Sequence, residues 1–424
     1  MREEQATTPT WFGQPRGLTV LFLTNMWEQF SYYGMRALLV YYMTKQLLLP
    51  QQWSSFVYGA YTACAYFTPI VGGVIADRLL GRRRAIMIGG SIMAFGHFMM
   101  TFEPLFYVAL ATIALGNGLF LPSLPSQIDS LYTADDPRRG WAYNVYYVGV
   151  NVGGFLAPLI CGTLGETMGW HWGFGAAGIG MVAGLFFYSW GQRYLPPEPV
   201  RQPVAPTSKR GLDRRMIAAL AAVAIAVTVF RGAYEQVGNT IALWSDSGVD
   251  RRAGGMMIPM TWFQSLNSLF VMAFTPLLLM WWRRNAERGI VDSSVRRMSK
   301  GALIVAAAYA TIAALTWLGG NAAVGWIWLV LFFIILTVGE LYILPTGLSL
   351  FARLAPPGYG ATTVAAWFLA IFTGSLTAGL IGTCWSWMEP APFFLMLTGI
   401  ACLAALLLRL IDPLVTPVEL STKR

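Results

Sequence analysis

NMWEQFSYYGMRALLVYY, residues 25–42, is a membrane-length apolar stretch with a polar ladder built into it. Asn25, Glu28, Gln29, Tyr32, Tyr33 and Arg36 fall at helical offsets 0, 3, 4, 7, 8 and 11, so they share one face. A carboxylate and a guanidinium at bilayer depth each cost several kcal/mol unless they are paired or face water. Such a face therefore reads as a substrate or ion path, with a polar seam between packed helices as the alternative.

The rest of the chain has the same character. It is 56% hydrophobic and 12% charged over 424 residues, with a mean hydropathy of +0.54, outside the range of soluble globular domains. An all-α polytopic membrane protein is expected. Twelve spans are placed at 18–46, 53–76, 84–102, 105–132, 140–164, 170–194, 214–245, 256–282, 301–319, 323–353, 360–387 and 391–411. Residues 1–16 are polar, contain Pro, and lack a basic region leading to a small-residue cleavage site, so the first span is retained. The basic residues concentrate on the even connections and the two ends, leaving Lys45, Arg251 and Arg252 on the other side, which places both termini in the cytoplasm. The net charge of +9 then reflects topology rather than nucleic-acid binding. The absence of any N-x-S/T sequon fits a bacterial inner membrane. Cys64, Cys161, Cys384 and Cys402 lie in spans at no metal-ligand spacing, and His97 and His171 are far apart, so neither metal nor cofactor is expected.

LPPEPVRQPVAPTSKRGLDRR, residues 195–215, is rich in Pro and Arg and has no apolar period. It divides the chain into a six-helix bundle over 1–194, a cytoplasmic linker over 195–213 and a second six-helix bundle over 214–424. That is the plan of transporters built from two halves, with the binding site near the midplane. Between spans two and three lies GGVIADRLLGRRRA, residues 72–85, which resembles the signature loop of the major facilitator superfamily. The resemblance implies that Asp77, Arg78, Arg82 and Arg83 tie helix ends together and are rearranged between inward-facing and outward-facing states. Topology alone is the other reading of part of this basic cluster.

Further stretches are similar to the proton-dependent oligopeptide transporter (POT/PTR) family: EQFSYYGMRALL, YYVGVNVGGFLAPLICGTLGETMGWHWGFGAAGIGM, WFQSLN, GELYILPTGLSL and, like the family's FEQ, YEQVGN. They are spread over the whole chain. The resemblance implies a small-peptide pocket lined by Tyr32, Tyr33, Arg36, Tyr66, Asn151, Asn267 and Trp367, with Glu340 receiving a peptide amino terminus and Glu235 binding a proton. The residues themselves support such a site. A zwitterionic dipeptide needs a fixed anion and a fixed cation, and Glu340 and Arg36 with Tyr and Trp neighbours supply them. Tyr143, Tyr147 and Asn151 also share a helical face, although packing or interfacial anchoring is an equal reading for any single Tyr.

The chain departs from the family where protons are concerned. The family's span-one motif is Glu, two residues, Glu, Arg; the corresponding residues here are Asn25, Glu28 and Gln29. Leu121, in GNGLFLPSLPS, stands where the family has a Lys. Arg231 has appeared four residues before Glu235, where the family has an aromatic, and that spacing puts both on one face. Arg231 is expected to pair with Glu235; Glu28 or a lipid phosphate are the alternative partners. Glu28, Glu235 and Arg231 are thus the candidates for proton coupling. The expectation is a monomeric carrier of di- and tripeptides working by proton symport. The alternative is a member carrying a non-peptide or modified-peptide substrate without proton coupling, as uniporter or exporter. No nucleophile with a matching base points to an enzyme, and the short tails leave little room for a signalling domain.

Overall fold

At bilayer depth a backbone has no water to bond with, so apolar stretches of this length satisfy themselves as helices. The computed structural model describes residues 13–132, 136, 138–198, 214–290, 292–320, 322–355 and 359–421. In chain order the helices are α1 (Arg16–Tyr41), α2 (Gln51–Ile75), α3 (Arg82–Met99), α4 (Phe106–Ser123), α5 (Arg139–Ala157), a short α6 (Thr163–Met168) and α7 (Trp170–Gly191). They continue with α8 (Arg214–Tyr234), a short α9 (Thr240–Ser247), α10 (Trp262–Glu287), α11 (Ser294–Gly319), α12 (Trp326–Arg353), α13 (Gly360–Thr383) and α14 (Pro390–Ser421). Among the described residues ten helical stretches are long and apolar enough to cross a membrane. The other two expected spans, 18–46 and 84–102, fall on α1 and α3. The polar face of α1 and the opening arginines of α3 keep both below that hydropathy. Residues 199–213 of the expected linker, and the basic residues Arg2, Lys423 and Arg424, lie outside the described residues.

One expected boundary is corrected. Span 256–282 does not begin at 256, because β2 (Arg252–Ala253) and β3 (Met256–Met257) form a small antiparallel hairpin. Gly254 and Gly255, with φ of 54° and 86°, supply the two left-handed positions that a tight hairpin turn requires. A second pairing joins β1 (Val249–Asp250) in parallel to β4 (Val324–Gly325).

The chain divides into two compact units, Met1–Leu48 with Cys64–Arg201, and Leu49–Ala63 with Gln202–Arg424. In the first unit α1 packs on α5 and α7, and α3 packs on α4 and α7. Leu18, Leu21, Ile86, Met93, Met181 and Tyr188 form part of the core that these helices share. In the second unit α11 packs on α12 and α14, while α8 packs on α13 and α14. The first turns of α2 belong to this second unit: Gln51 donates to the Gly382 carbonyl at 3.0 Å and Ser55 to the Asn239 side chain at 2.9 Å.

The two units use the same packing devices. Gly89 of α3 and Gly116 of α4 face each other so closely that a Cβ on either would lie 2.7 or 2.6 Å from the other's carbonyl oxygen. Gly301 of α11 and Gly339 of α12 do the same at 2.6 and 2.7 Å. Small residues let backbones approach where apolar burial gives little drive for association.

A second device closes one end of each unit. Glu198 accepts from the Arg83 backbone N–H at 2.5 Å, and the Arg83 guanidinium donates to the carbonyls of Leu195 and Pro196 at 2.9 and 2.6 Å. Glu419 accepts from the Ser294 N–H at 3.3 Å and its hydroxyl at 2.8 Å, and pairs with Arg353 at 3.1 Å. Each carboxylate thus meets the exposed amides of a helix N-terminus, where negative charge is favoured.

Gly81, which leads into α3 at φ 82° and ψ 154°, has no room for a side chain, since a Cβ would lie 2.6 Å from Glu198 Oε2. Gly81→Ala is expected to destabilise the protein by roughly 1–3 kcal/mol through backbone strain alone. Gly175→Ala, on α7 with open space around it, should be neutral or slightly stabilising. Thermal unfolding of the purified variants checks this, and an equal loss of Tm in both would refute it.

Candidate functional site

Buried polar side chains gather in both units, and the denser cluster is in the second. There α8 runs as a regular helix to Tyr234, tightens into a 3₁₀ turn over Glu235–Gly238, and breaks at Asn239 (φ −114°, ψ −94°) before α9 resumes at Thr240. The break frees backbone groups that need partners at depth. Gln236 supplies them: its amide donates to the Gly232 carbonyl at 3.1 Å and to the Ala378 carbonyl of α13 at 2.8 Å. Its oxygen accepts from the Thr240 hydroxyl at 3.0 Å. Interrupted helices of this kind, held by side chains, recur where transporters bind substrate.

Arg231 and Glu235 straddle this junction one turn apart and form an ion pair, with side-chain exposures of only 3% and 2%. The structure thus gives Arg231 the partner on its own helix. Its guanidinium also lies over the Tyr234 ring, 5.3 Å from the centroid. Tyr234 in turn lies near Glu340 of α12. On its other side Glu340 accepts from the Asn267 amide of α10 at 2.6 Å, and Asn267 also donates to the Thr337 hydroxyl at 3.2 Å. The seventh span and α12 therefore bring together one guanidinium and two carboxylates, with the Asn267 amide added from α10. With all three ionised, the cluster has one negative charge in excess and favours an added cation.

Tyr234 and Thr337 were not among the residues singled out from the sequence. Tyr234 carried a signal, since it lies three residues after Arg231 and next to Glu235; Thr337 carried none. Trp367 is placed differently from a pocket wall. It is 2% exposed, packs edge-on against Phe351 at 5.3 Å and covers Gly347, where any side chain would collide with the indole. A lining role for Trp367 rests on the resemblance alone.

In the first unit Asn25, Glu28, Gln29 and Tyr32 of the α1 polar ladder are buried, and Tyr33 and Arg36 are half-buried. Glu28 and Asn25 are each 1% exposed. Gln29 donates to Glu28 at 2.6 Å, and Asn25 donates to the Tyr146 carbonyl of α5 at 3.4 Å. Tyr32 and Tyr33 meet edge to face at 5.3 Å, and Arg36 is half-buried one turn on. Asn151 donates to the Tyr147 carbonyl of its own helix at 3.0 Å, while the Tyr147 ring is exposed and Tyr66 is half-buried. Of the loop residues, Arg82 donates to the Ser126 carbonyl at 2.8 Å and Arg83 holds the end of the sixth span as described above. Asp77 and Arg78 lie in a π turn, Ala76–Leu80, that ends the second span. Among the described residues no group of three or more His, Cys, Asp or Glu is placed to hold a metal ion.

The sequence profile of the POT family matches residues 83–210 and 197–395. A di-/tripeptide transporter of Lactococcus lactis subsp. cremoris is 32% identical, over 87% of this chain and 89% of that protein. A peptide transporter of Yersinia enterocolitica subsp. palearctica is 31% identical over 88% of each. A crystal structure of a POT peptide transporter in complex with sulfate superposes with a TM-score of 0.90 at 27% identity, covering 99% of both chains. A variant of a POT transporter in complex with alafosfalin does so with 0.89, at 27% identity and the same coverage. With the profile spanning well over half of its length and relatives above 30% identity covering most of it, the chain belongs to the POT family of multi-pass membrane transporters.

Proposed function

We propose that this chain is a secondary active transporter that moves di- and tripeptides, or solutes resembling them, across a membrane by alternating access. The observation that carries the reading is the setting of Glu340. Its carboxylate is oriented by Asn267 and still has lone pairs to offer. A peptide amino terminus is a compact cation with three donors, and it matches that carboxylate in charge and in hydrogen bonding. Arg36 is the cation assigned to a substrate carboxylate, and Tyr32, Tyr33, Tyr66, Tyr147, Asn151 and Asn267 are assigned to the walls. The names of the Lactococcus and Yersinia relatives support peptides as the substrate class. Those relatives are transporters, which supports a carrier rather than an enzyme. We place both termini in the cytoplasm of a bacterial inner membrane, assign the protein to a monomer of two six-helix bundles, and assign Asp77, Arg78, Arg82 and Arg83 to gating.

Proton symport is the favoured energetics, with Glu28, Glu235 and Arg231 assigned to proton coupling. One proton entering under 100 mV contributes about 2.3 kcal/mol. A second reading, transport without proton coupling, draws on the Arg231–Glu235 pair: the acid that a coupled cycle would use already has a counter-charge on its own helix.

Three measurements test these assignments. Glu340→Gln should weaken binding of free-amine peptides roughly 10- to 100-fold, the worth of a charged hydrogen bond of about 1.5–3 kcal/mol. N-acetylated peptides should be unaffected, and equal affinity of the native protein for free and N-acetylated peptides would remove the assignment. Arg231→Met leaves Glu235 buried without its cation and should cost about 3–5 kcal/mol, whereas Arg231→Met with Glu235→Gln should cost much less. Additive effects on Tm would mean that the two side chains do not interact. In proteoliposomes, uptake that rises steeply with an imposed proton gradient supports symport. If Glu28→Gln leaves that dependence intact, coupling lies with Glu235; uptake indifferent to the gradient selects the second reading.

A further inference from the structure

One face of α10 carries an apolar stripe that runs straight into a basic one. Leu277, Met280, Trp281, Arg284 and Arg288 fall at helical offsets 0, 3, 4, 7 and 11. Leu277, Met280 and Trp281 are 57, 51 and 50% exposed, and both arginines are exposed. The opposite side of the helix is the packed one. Ser268 and Val271 are buried there, and Trp282 meets the Tyr342 ring of α12 edge-on at 5.2 Å, while the Arg297 guanidinium of α11 lies 4.3 Å from the Trp282 centroid. That grip fixes the rotation of α10 and turns the stripe outward. Arg288 stays over Arg284, because its N–H bonds back to the Arg284 carbonyl at 3.3 Å.

The depth of the stripe follows from helix geometry. Trp262 and Trp281 stand 19 residues apart, about 29 Å along the axis, which is the thickness of the hydrocarbon core whose two boundaries tryptophans favour. Arg284 and Arg288 then lie about 5 and 10 Å beyond Trp281, in the headgroup layer and at its edge. Their charges are not spent within the protein. Glu287 pairs with Arg283 at 3.1 Å, Asp292 with Lys300 at 2.7 Å and Asp412 with Arg296 at 2.5 Å, and among the described residues no carboxylate pairs with Arg284 or Arg288.

We propose that this face of α10 is a binding site for an anionic phospholipid, with the phosphate between Arg284 and Arg288 and an acyl chain along Leu277, Met280 and Trp281. Two guanidinium groups one turn apart offer a phosphate both charge and directed donors. The apolar stripe beside them takes the chain, so a ligand that fits the whole face must carry both parts. Arginines placed only to orient the chain in the membrane would need no alignment with a lipid-facing stripe.

The test is a titration of the purified full-length protein in detergent with dioleoyl-phosphatidylglycerol or dioleoyl-phosphatidylcholine, read by native mass spectrometry as the dissociation constant of the first bound lipid. The native protein should favour the anionic lipid by roughly ten-fold or more. Arg284→Gln should weaken phosphatidylglycerol binding roughly 10- to 100-fold, the loss of a charged hydrogen bond, and remove most of that preference. Arg283→Gln deletes the same charge one residue away, from a residue already paired with Glu287, and should cost less than about five-fold. Equal losses in the two variants overturn the proposal, because the arginines would then act as general surface charge. Absence of any preference for phosphatidylglycerol in the native protein overturns it as well. So does displacement of the lipid by millimolar inorganic phosphate, since the site would then take a free anion. Both arginines are exposed, so their replacement leaves the packed side of α10 intact. Should Arg284→Gln nonetheless fail to fold, Arg288→Gln takes its place with the same outcomes.

Discussion

Arg231 is buried beside Glu235, and the polar cluster of the second unit is arranged around that pairing. Neither ion is stable alone at such depth, because the desolvation of a single charge exceeds what scattered hydrogen bonds return. Together they let α8 change from α to 3₁₀ geometry without stranding a charge. Gln236 then bonds the Gly232 carbonyl ahead of the break and the Ala378 carbonyl of α13. Take away one partner and the turn would hold an uncompensated ion in the packed interior.

The parts of this arrangement visible in the sequence were those governed by local spacing. The polar ladder from Asn25 to Arg36 follows from helical period alone, and so does the Arg231–Glu235 pair. The spans were legible because hydrocarbon thickness fixes their length, and ten of them coincide with apolar helices. What escaped depends on approach between distant segments. Glu198 reaches Arg83 across 115 residues and Glu419 reaches Ser294 across 125, and no local pattern marks either carboxylate as a helix cap. Trp367 reads as a wall by resemblance, but the missing side chain at Gly347 makes room for its indole in the packed interior. The hairpin at 252–257 was hidden by the methionines of β3, which look like the opening of an apolar span.

The two units solve one problem twice. A glycine pair lets α3 cross α4 and another lets α11 cross α12, and a carboxylate meets the first amides of α3 and of α11. The side chains around these points differ, with Arg83 reaching carbonyls in one unit and Arg353 pairing with the carboxylate in the other. The recurrence therefore lies in the backbone requirement, a close crossing and a helix N-terminus needing acceptors, more than in the sequence that meets it.

The hydrogen bond from Gln29 to Glu28 has its own consequence. An arginine is all donor, so beside a carboxylate it favours the ionised form and has no acceptor for the O–H of the acid. A glutamine amide carries a donor and an acceptor on one rotatable group. Turned one way, it donates to the carboxylate; turned the other, its oxygen accepts from the carboxylic acid O–H. Glu28 thus has a neighbour suited to either of its protonation states, and a proton arriving or leaving there requires only the rotation of one amide, with no ion pair to be broken in the middle of the helix.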